Sequence, residues 1–186
     1  MADYQLDRFT DFYVAFFDRM FSAAPGKIDI LRIADDMGMQ DRLLFSPETF
    51  ERYMVPRLRR LVDMAHSHGV KVMFPSCGAI VPLIESIIAA GVDILDPLQV
   101  RAKGMDPHFL KSQFGSRICL HGSIDTQYLL PHGTPDDVAR TVREMIATLG
   151  AGGGFILAPS HVFQADVPTA NILALYETGS AERSQG

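Results

Sequence analysis

Eight side chains able to do chemistry fall where short β-rich runs stop: Asp35, Asp36, Cys77, Asp96, Gln99, His121, Asp125 and His161. Adjacent carboxylates such as Asp35 and Asp36 push one pKa upward and can serve as a general acid/base pair. Neighbours on an extended strand point opposite ways, however, so the two read equally as such a pair or as one site residue and one cap of the next turn. Cys77 follows the apolar run Val70 to Pro75, and Gly78 after it permits a tight turn. A lone cysteine is also a common small buried residue. His161 sits in a loop after a glycine-rich strand entry, either as a site residue or as a surface histidine. Gln99 and His121 end further strands as candidate substrate-binding residues. Asp125, after Gly122, reads equally as a substrate-binding residue or as an Asx-turn former. Cys119 lies inside a strand and reads as core. His66, His68, His108 and His132 fall at helix ends or loops and read as solvated.

The elements that must position these residues alternate regularly. Strands are expected at Lys27 to Ala34, around Val70 to Pro75, at Val92 to Leu95, at Arg117 to Leu120 and at Phe155 to Leu157. Helices are expected between them. Ser46-Pro47, Asp106-Pro107 and Thr134-Pro135 each place a capping side chain before a proline at the first helical position. Pro56 should kink the second helix and Gly69 should end it. The first helix, Tyr4 to Ala24, carries the aromatic stripe Phe9, Phe12, Tyr13, Phe16, Phe17 and Phe21, whose helical spacing predicts a core-facing surface.

Strands alternating with single helices predict a parallel sheet with right-handed crossovers. Both a doubly wound sheet and part of a (β/α)8 barrel fit. Gly152-Gly153-Gly154 precedes a strand, the wrong context for cradling a phosphate, and the dinucleotide fingerprint is absent. Polar and reactive residues at the carboxyl end of every strand favour an α/β fold of partial TIM (β/α)8 barrel type. Five units are about three short of a closed barrel, so the N-terminal strands are expected to be missing.

The chain has 186 residues, 47% of them hydrophobic, and a net charge of −5. Interspersed charge of this sign argues against a nucleic-acid partner. No apolar run approaches the ~18 residues that would cross a membrane. With no signal-like start and only two cysteines, the expected location is cytoplasmic. The expected organisation is a domain over residues 1–179 and a frayed tail over residues 180–186.

The ordered motifs resemble a known family. Ala34-Asp35-Asp36-Met37-Gly38, Ser46-Pro47-Glu48-Thr49-Phe50, Ser76-Cys77-Gly78-Ala79-Ile80, Gly91 to Gln99, Gly122-Ser123-Ile124-Asp125, and His161 followed by Asp166-Val167-Pro168 and Asn171-Ile172 are similar to the C-terminal part of the uroporphyrinogen decarboxylase superfamily. That superfamily includes cobalamin-dependent methyltransferases and demethylases. The resemblance implies a (β/α)8 barrel and methyl transfer from a small O- or N-methyl compound, with zinc and a corrinoid borne by a partner protein. Cys77 and His161 match the positions of zinc ligands, with His121, Asp36 or Asp125 as a candidate third. Pro75 stands where the methyltransferase branch usually has a histidine. Asp35, Asp36 and His161 would be catalytic.

The runner-up is porphyrinogen decarboxylation in haem biosynthesis, without a metal or cofactor. It needs an arginine-lined cleft, for which Arg32, Arg101 and Lys103 are the candidates. A third reading is a non-catalytic truncated barrel acting as a binding partner. An N-terminal half-barrel or a homo-oligomer would cover its open seam.

Overall fold

The computed structural model describes residues 1–33 and 35–183. Helix α1 (Ala2–Ala23) leads into strand β1 (Ile30–Arg32). A helical stretch follows as α2 (Pro47–Thr49), a π-helical turn (Phe50–Met54) and α3 (Val55–Ser67). Then come β2 (Lys71–Pro75), α4 (Val81–Ala89), β3 (Ile94–Leu98) and α5 (Pro107–Phe114). The chain closes with β4 (Cys119–Ile124), α6 (Leu129–His132), α7 (Pro135–Leu149), β5 (Phe155–Pro159) and α8 (Thr169–Arg183).

The five strands form one parallel sheet in the order β1-β2-β3-β4-β5. A doubly wound sheet reverses its order partway. An unbroken sequential order keeps all the right-handed crossovers on one face, as in a (β/α)8 barrel. The fold is therefore a five-stranded part of such a barrel. The strand β3, buried along its whole length, sits at the centre of the arc. Leu83, Ile84 and Ile87 of α4 pack into the same core as Leu95 and Leu98 of β3 and Leu120 and Ile124 of β4.

Local signals set the helix starts. The side chains of Ser46, Asp106 and Thr134 accept hydrogen bonds from the backbone N–H groups of Thr49, Phe109 and Asp137. At Thr134 the Asp137 carboxylate bonds back to the Thr134 N–H and completes a capping box. The helix changes geometry at Pro56. The turn just before it opens to π geometry, with the Val55 N–H donating to the Phe50 carbonyl, and the chain accommodates the ring there.

Several expectations need correction. β1 is shorter than predicted, and Ala34, its expected last residue, lies outside the described residues. β3 and β4 run further than predicted, so that Asp96 and His121 lie inside strands. Helix α8 continues through residues 180–183, where a frayed tail was expected; residues 184–186 of that tail are outside the described set.

The largest correction concerns α1. Only one edge of its aromatic stripe faces the core: Phe9 is 65% exposed and Phe12 61%, with Tyr13 and Phe16 also exposed. α1 packs against α3 through the edge that carries Phe17 and Phe21. Phe21 is buried, Val14, Phe17 and Met20 pack partly on the core, and an acidic row pairs with a basic one. Arg57 bridges Asp3 and Asp7, Arg60 bonds Asp11, and His68 bonds Asp18 at 2.8 Å. Periodicity shows that a stripe is apolar, but which neighbour covers it depends on the packing of other elements.

Candidate functional site

The carboxyl ends of the strands surround an open cleft of about 840 Å³. It is lined by Arg32 of β1, Asp35 and Asp36 after it, Cys77 after β2, Asp96 of β3, His121 of β4 and His161 after β5. Met73, Pro75, Pro97, Pro159 and Phe163 give it an apolar floor and wall.

Asp96 is the centre of this group. It is only 4% exposed. One carboxylate oxygen, Oδ2, accepts from Arg32 Nε at 3.1 Å and Nη2 at 3.0 Å. The other, Oδ1, lies 2.5 Å from His121 Nδ1. Burial works to raise the Asp96 pKa, but hydrogen bonds and positive charge from His121 and Arg32 outweigh it and hold the carboxyl below its ordinary value. An ionised carboxylate only accepts, so Nδ1 of His121 donates. The other ring nitrogen, Nε2, makes no hydrogen bond among the described residues. A carboxylate fixing the tautomer of a histidine is the usual way to aim one ring nitrogen at a reacting group.

Two turns carry the chain close against this centre. Gly78 has φ +91°, and a Cβ there would lie 2.5 Å from the Met39 carbonyl oxygen. Gly122, φ +109°, lets β4 approach β3 so closely that a Cβ would lie 2.9 Å from Leu98 N. Buried hydroxyls pin the loops: Ser76 Oγ accepts from Met37 N–H at 2.9 Å, and Ser160 Oγ donates to the Leu98 carbonyl at 2.8 Å.

The structure brings Asp35, Asp36, Cys77, His121 and His161 into one cleft. Asp35 and Asp36 both reach it. Asp36 Oδ1 accepts from Cys77 N–H at 2.9 Å. The Asp35 carboxyl is raised by burial and by the Asp36 charge. The Cys77 thiol is pushed up to about 11, first by burial and then by Asp36, so it stays protonated at neutral pH.

Gln99 and Asp125 stand outside this lining. Gln99 Oε1 accepts from Gly78 N–H at 2.8 Å and from Gln40 Nε2 at 3.1 Å, and so braces the turn behind Cys77. The Asp125 carboxylate accepts the backbone N–H groups of Gln127, Tyr128 and Leu129, which is the Asx-turn alternative. Of the candidate cations only Arg32 lines the cleft; Arg101 stacks over the Tyr128 ring at 4.0 Å. His66 and His68 are not simply solvated, since each bonds an aspartate. Cys119 is half-buried at the amino end of β4 rather than fully in the core.

Residues 2–181 match the family described as uroporphyrinogen decarboxylase (URO-D). The chain belongs to the URO-D family. Among relatives of this URO-D chain, a methylated-thiol–coenzyme M methyltransferase of Methanosarcina mazei is 30% identical over 143 residues, 76% of this chain and 35% of that protein. A solved methyltransferase structure from Methanosarcina mazei superposes with a TM-score of 0.75 at 22% identity, over 97% of this chain and 49% of that one. Dihydropteroate synthase of Xanthomonas albilineans shares the fold more loosely, with a TM-score of 0.54 at 16% identity over 88% of this chain and 57% of that one. The chain thus spans about half or less of the length of the two Methanosarcina proteins.

The zinc implied by the resemblance requires three protein ligands and an open position. The residues present do not fit it. Pro75, in the position of the usual first ligand, has no ligating atom, and Asp96 and His121 are engaged with each other. Among the described residues no three His, Cys, Asp or Glu side chains come together to hold a metal ion. Asp96 was read only as a polar strand end and Arg32 only as a candidate cation of the rival reading, so neither was given its place in the site. Their signal was present only as polar side chains within or beside apolar strand runs.

Proposed function

We propose that the cleft takes a small methylated thiol, or the thiol that remains after its methyl group has left, and that the URO-D chain contributes this half of a methyl-transfer site. The observation that carries the reading is the Asp96–His121 pair, which joins β3 to β4 and opens into an otherwise largely apolar cleft. Methyl transfer at sulfur converts a thiol to a thioether or the reverse, so one proton must be taken up or delivered at sulfur. An oriented imidazole does that. An apolar floor suits a methylthio group. The name of the Methanosarcina mazei relative, a methyltransferase acting on methylated thiols, supports the same class.

The mouth of the cleft is open at Arg32, whose side chain is 57% exposed, and at His161. This leaves room for a methyl carrier presented by a partner. A corrinoid on such a partner would supply the centre that accepts or donates the methyl group.

Porphyrinogen decarboxylation is less well supported. Its substrate carries many carboxylates, whereas Arg32 is the one arginine lining the cleft and is already bound to Asp96. The test is binding of ethyl methyl sulfide, followed by the line width of its methyl resonances, with uroporphyrinogen as the rival substrate. Broadening with the sulfide, reversed by an excess of ethanethiol, is expected. Absence of binding by either sulfur compound, or formation of coproporphyrinogen, would overturn the reading.

A further inference from the structure

Helix α1 shows solvent five large aromatic side chains, Tyr4, Phe9, Phe12, Tyr13 and Phe16, each between 46% and 70% exposed. Single exposed apolar residues are ordinary, but a continuous row of them marks a surface that binds something. Phe9, Phe12, Tyr13 and Phe16 follow one another at three- and four-residue spacing, so they form one strip on the helix. Phe12 lies about two and a half turns from the buried Phe21, so the two point opposite ways. Two shallow depressions flank Phe12, which lines both. One, of about 490 Å³, is also lined by Arg8, Phe9 and Tyr13. The other, of about 530 Å³, is lined by Ala15, Phe16 and Arg19. None of these residues lines the cleft at the strand ends.

We propose that this face binds a second copy of the chain, with the two α1 helices antiparallel about a two-fold axis near Phe12. The proposal goes beyond the methyl-transfer reading and does not depend on it. In this register Phe16 of one copy enters the depression beside Phe9 of the other, and Phe9 enters the one beside Phe16. A two-fold axis makes each of these contacts twice.

Charge selects the orientation. Asp3, Asp7, Asp11 and Asp18 all meet basic side chains of α3 or the residue that follows it. Arg8 and Arg19 are left on the open face. Arg8 has one contact with Asp11 at 3.7 Å, and Arg19 has no hydrogen bond or ion pair among the described residues. Antiparallel packing sets Arg8 beside Asp18 of the other copy and Arg19 beside its Asp7, and both acids stay about half exposed after meeting His68 and Arg57. Parallel packing would set each arginine against itself.

The area is sufficient. A large ring buries ~150–250 Å² when wholly covered, so covering these five at their present exposure removes roughly 600 Å² per copy. The total of about 1,200 Å² stands at the lower end of specific interfaces and fits a reversible dimer with a dissociation constant on the order of micromolar. An anionic lipid surface is the weaker candidate, because the net charge of −5 and the aspartates of the same helix oppose it.

The experiment is sedimentation velocity of the whole chain, from well below to well above that constant. Conversion of monomer to dimer is expected. Phe12→Asp should weaken the dimer at least about a hundredfold, because two central rings are lost from each interface. Its unfolding in dilute solution should match that of the wild-type chain, since Phe12 is exposed in a single copy. Copper-catalysed oxidation of two cysteine variants reads the orientation. Phe12→Cys, near the axis, should form an intermolecular disulfide. Tyr4→Cys should not, because its two copies would lie about 25 Å apart along the helices.

A chain that stays monomeric at the highest concentration would overturn the proposal. So would a dimer that survives Phe12→Asp, or cross-linking through Tyr4→Cys as readily as through Phe12→Cys. Binding of a monomeric chain to phosphatidylserine vesicles, lost in Phe12→Asp, would also overturn it and assign the face to a lipid surface.

Discussion

Asp93, just before β3, and Asp96, within it, each bind a histidine and a basic side chain, to different ends. At the amino end, Asp93 binds His66 Nε2 at 2.7 Å, Lys71 Nζ at 2.8 Å and the backbone N–H of Val72 at 2.8 Å. Towards the carboxyl end, Asp96 binds His121 Nδ1 at 2.5 Å and Arg32 at 3.0 and 3.1 Å. Both carboxyls are held below their ordinary values, burial working against the shift and the paired cations for it. Asp93 spends part of its capacity on the main chain and ties the end of α3 to the start of β2. The Asp96 carboxylate contacts only side chains, and its histidine opens into the cleft at the carboxyl face. In barrels of this type the amino face serves stability and the carboxyl face chemistry. The pair shows why: crossover helices and strand starts crowd the first face, while loops leave the second open.

The comparison breaks first at Asp96 itself. Asp96→Ala leaves His121 and the guanidinium of Arg32 without their carboxylate. It should cost about 3 kcal/mol, towards the lower end for a buried pair because Arg32 is partly exposed. Asp93→Ala, which loses a backbone hydrogen bond and two partly exposed partners, should cost about 1–2 kcal/mol and leave sulfide binding unchanged. Urea unfolding of both variants, with sulfide binding alongside, checks this. Equal costs with equal losses of binding would erase the functional distinction.

Thiol chemistry sharpens the picture of the carboxyl face. Cys77, at about 11, should react with iodoacetamide at neutral pH roughly a hundredfold more slowly than an ordinary exposed cysteine. The rate should keep rising with pH well past the point where free cysteine levels off. Rapid alkylation at neutral pH would show that burial and Asp36 do not hold this thiol up.

Acid should affect both ends of β3 alike. A carboxyl whose folded pKa is depressed contributes stability above its unfolded value, near ~3.9, and loses it as pH falls through the folded value. Thermal stability should therefore decline below about pH 4. The Asp93→Asn, Asp96→Asn double variant should be less stable at neutral pH and show a flatter acid limb. An unchanged limb would place the acid sensitivity elsewhere.

The smallest effect belongs to α1. Phe12→Ala, on the exposed stripe, should change the stability of a single copy, measured in dilute solution, by less than about 0.5 kcal/mol. Phe21→Ala, on the buried side of the same helix, should cost about 3 kcal/mol. A large loss from Phe12→Ala in dilute solution would mean that the outer face is covered within a single copy.

The sequence by itself determined whatever depends on neighbours a few residues apart. Ser46, Asp106 and Thr134 cap their helices as read, because a cap bonds to an N–H only a few positions on. Glycines at tight turns were legible for the same reason, as was the alternation of strand and helix that made a barrel-type sheet one of two choices. Cys77, Asp35, Asp36, His121 and His161 could be named as site candidates because a parallel sheet delivers its strand ends to one face. Tertiary structure alone decided the rest. Sequential strand order settled the architecture. Asp96 and His121, 25 residues apart, stay within their strands because each satisfies the other across the sheet, where sequence reading took polar residues as strand ends. Asp125 and Gln99 were drawn away to brace backbone. The aromatic face of α1 turned outward because its acidic row found Arg57, Arg60 and His68 on α3. Each of these outcomes turns on a partner far along the chain, and a local pattern carries no information about where such a partner will be.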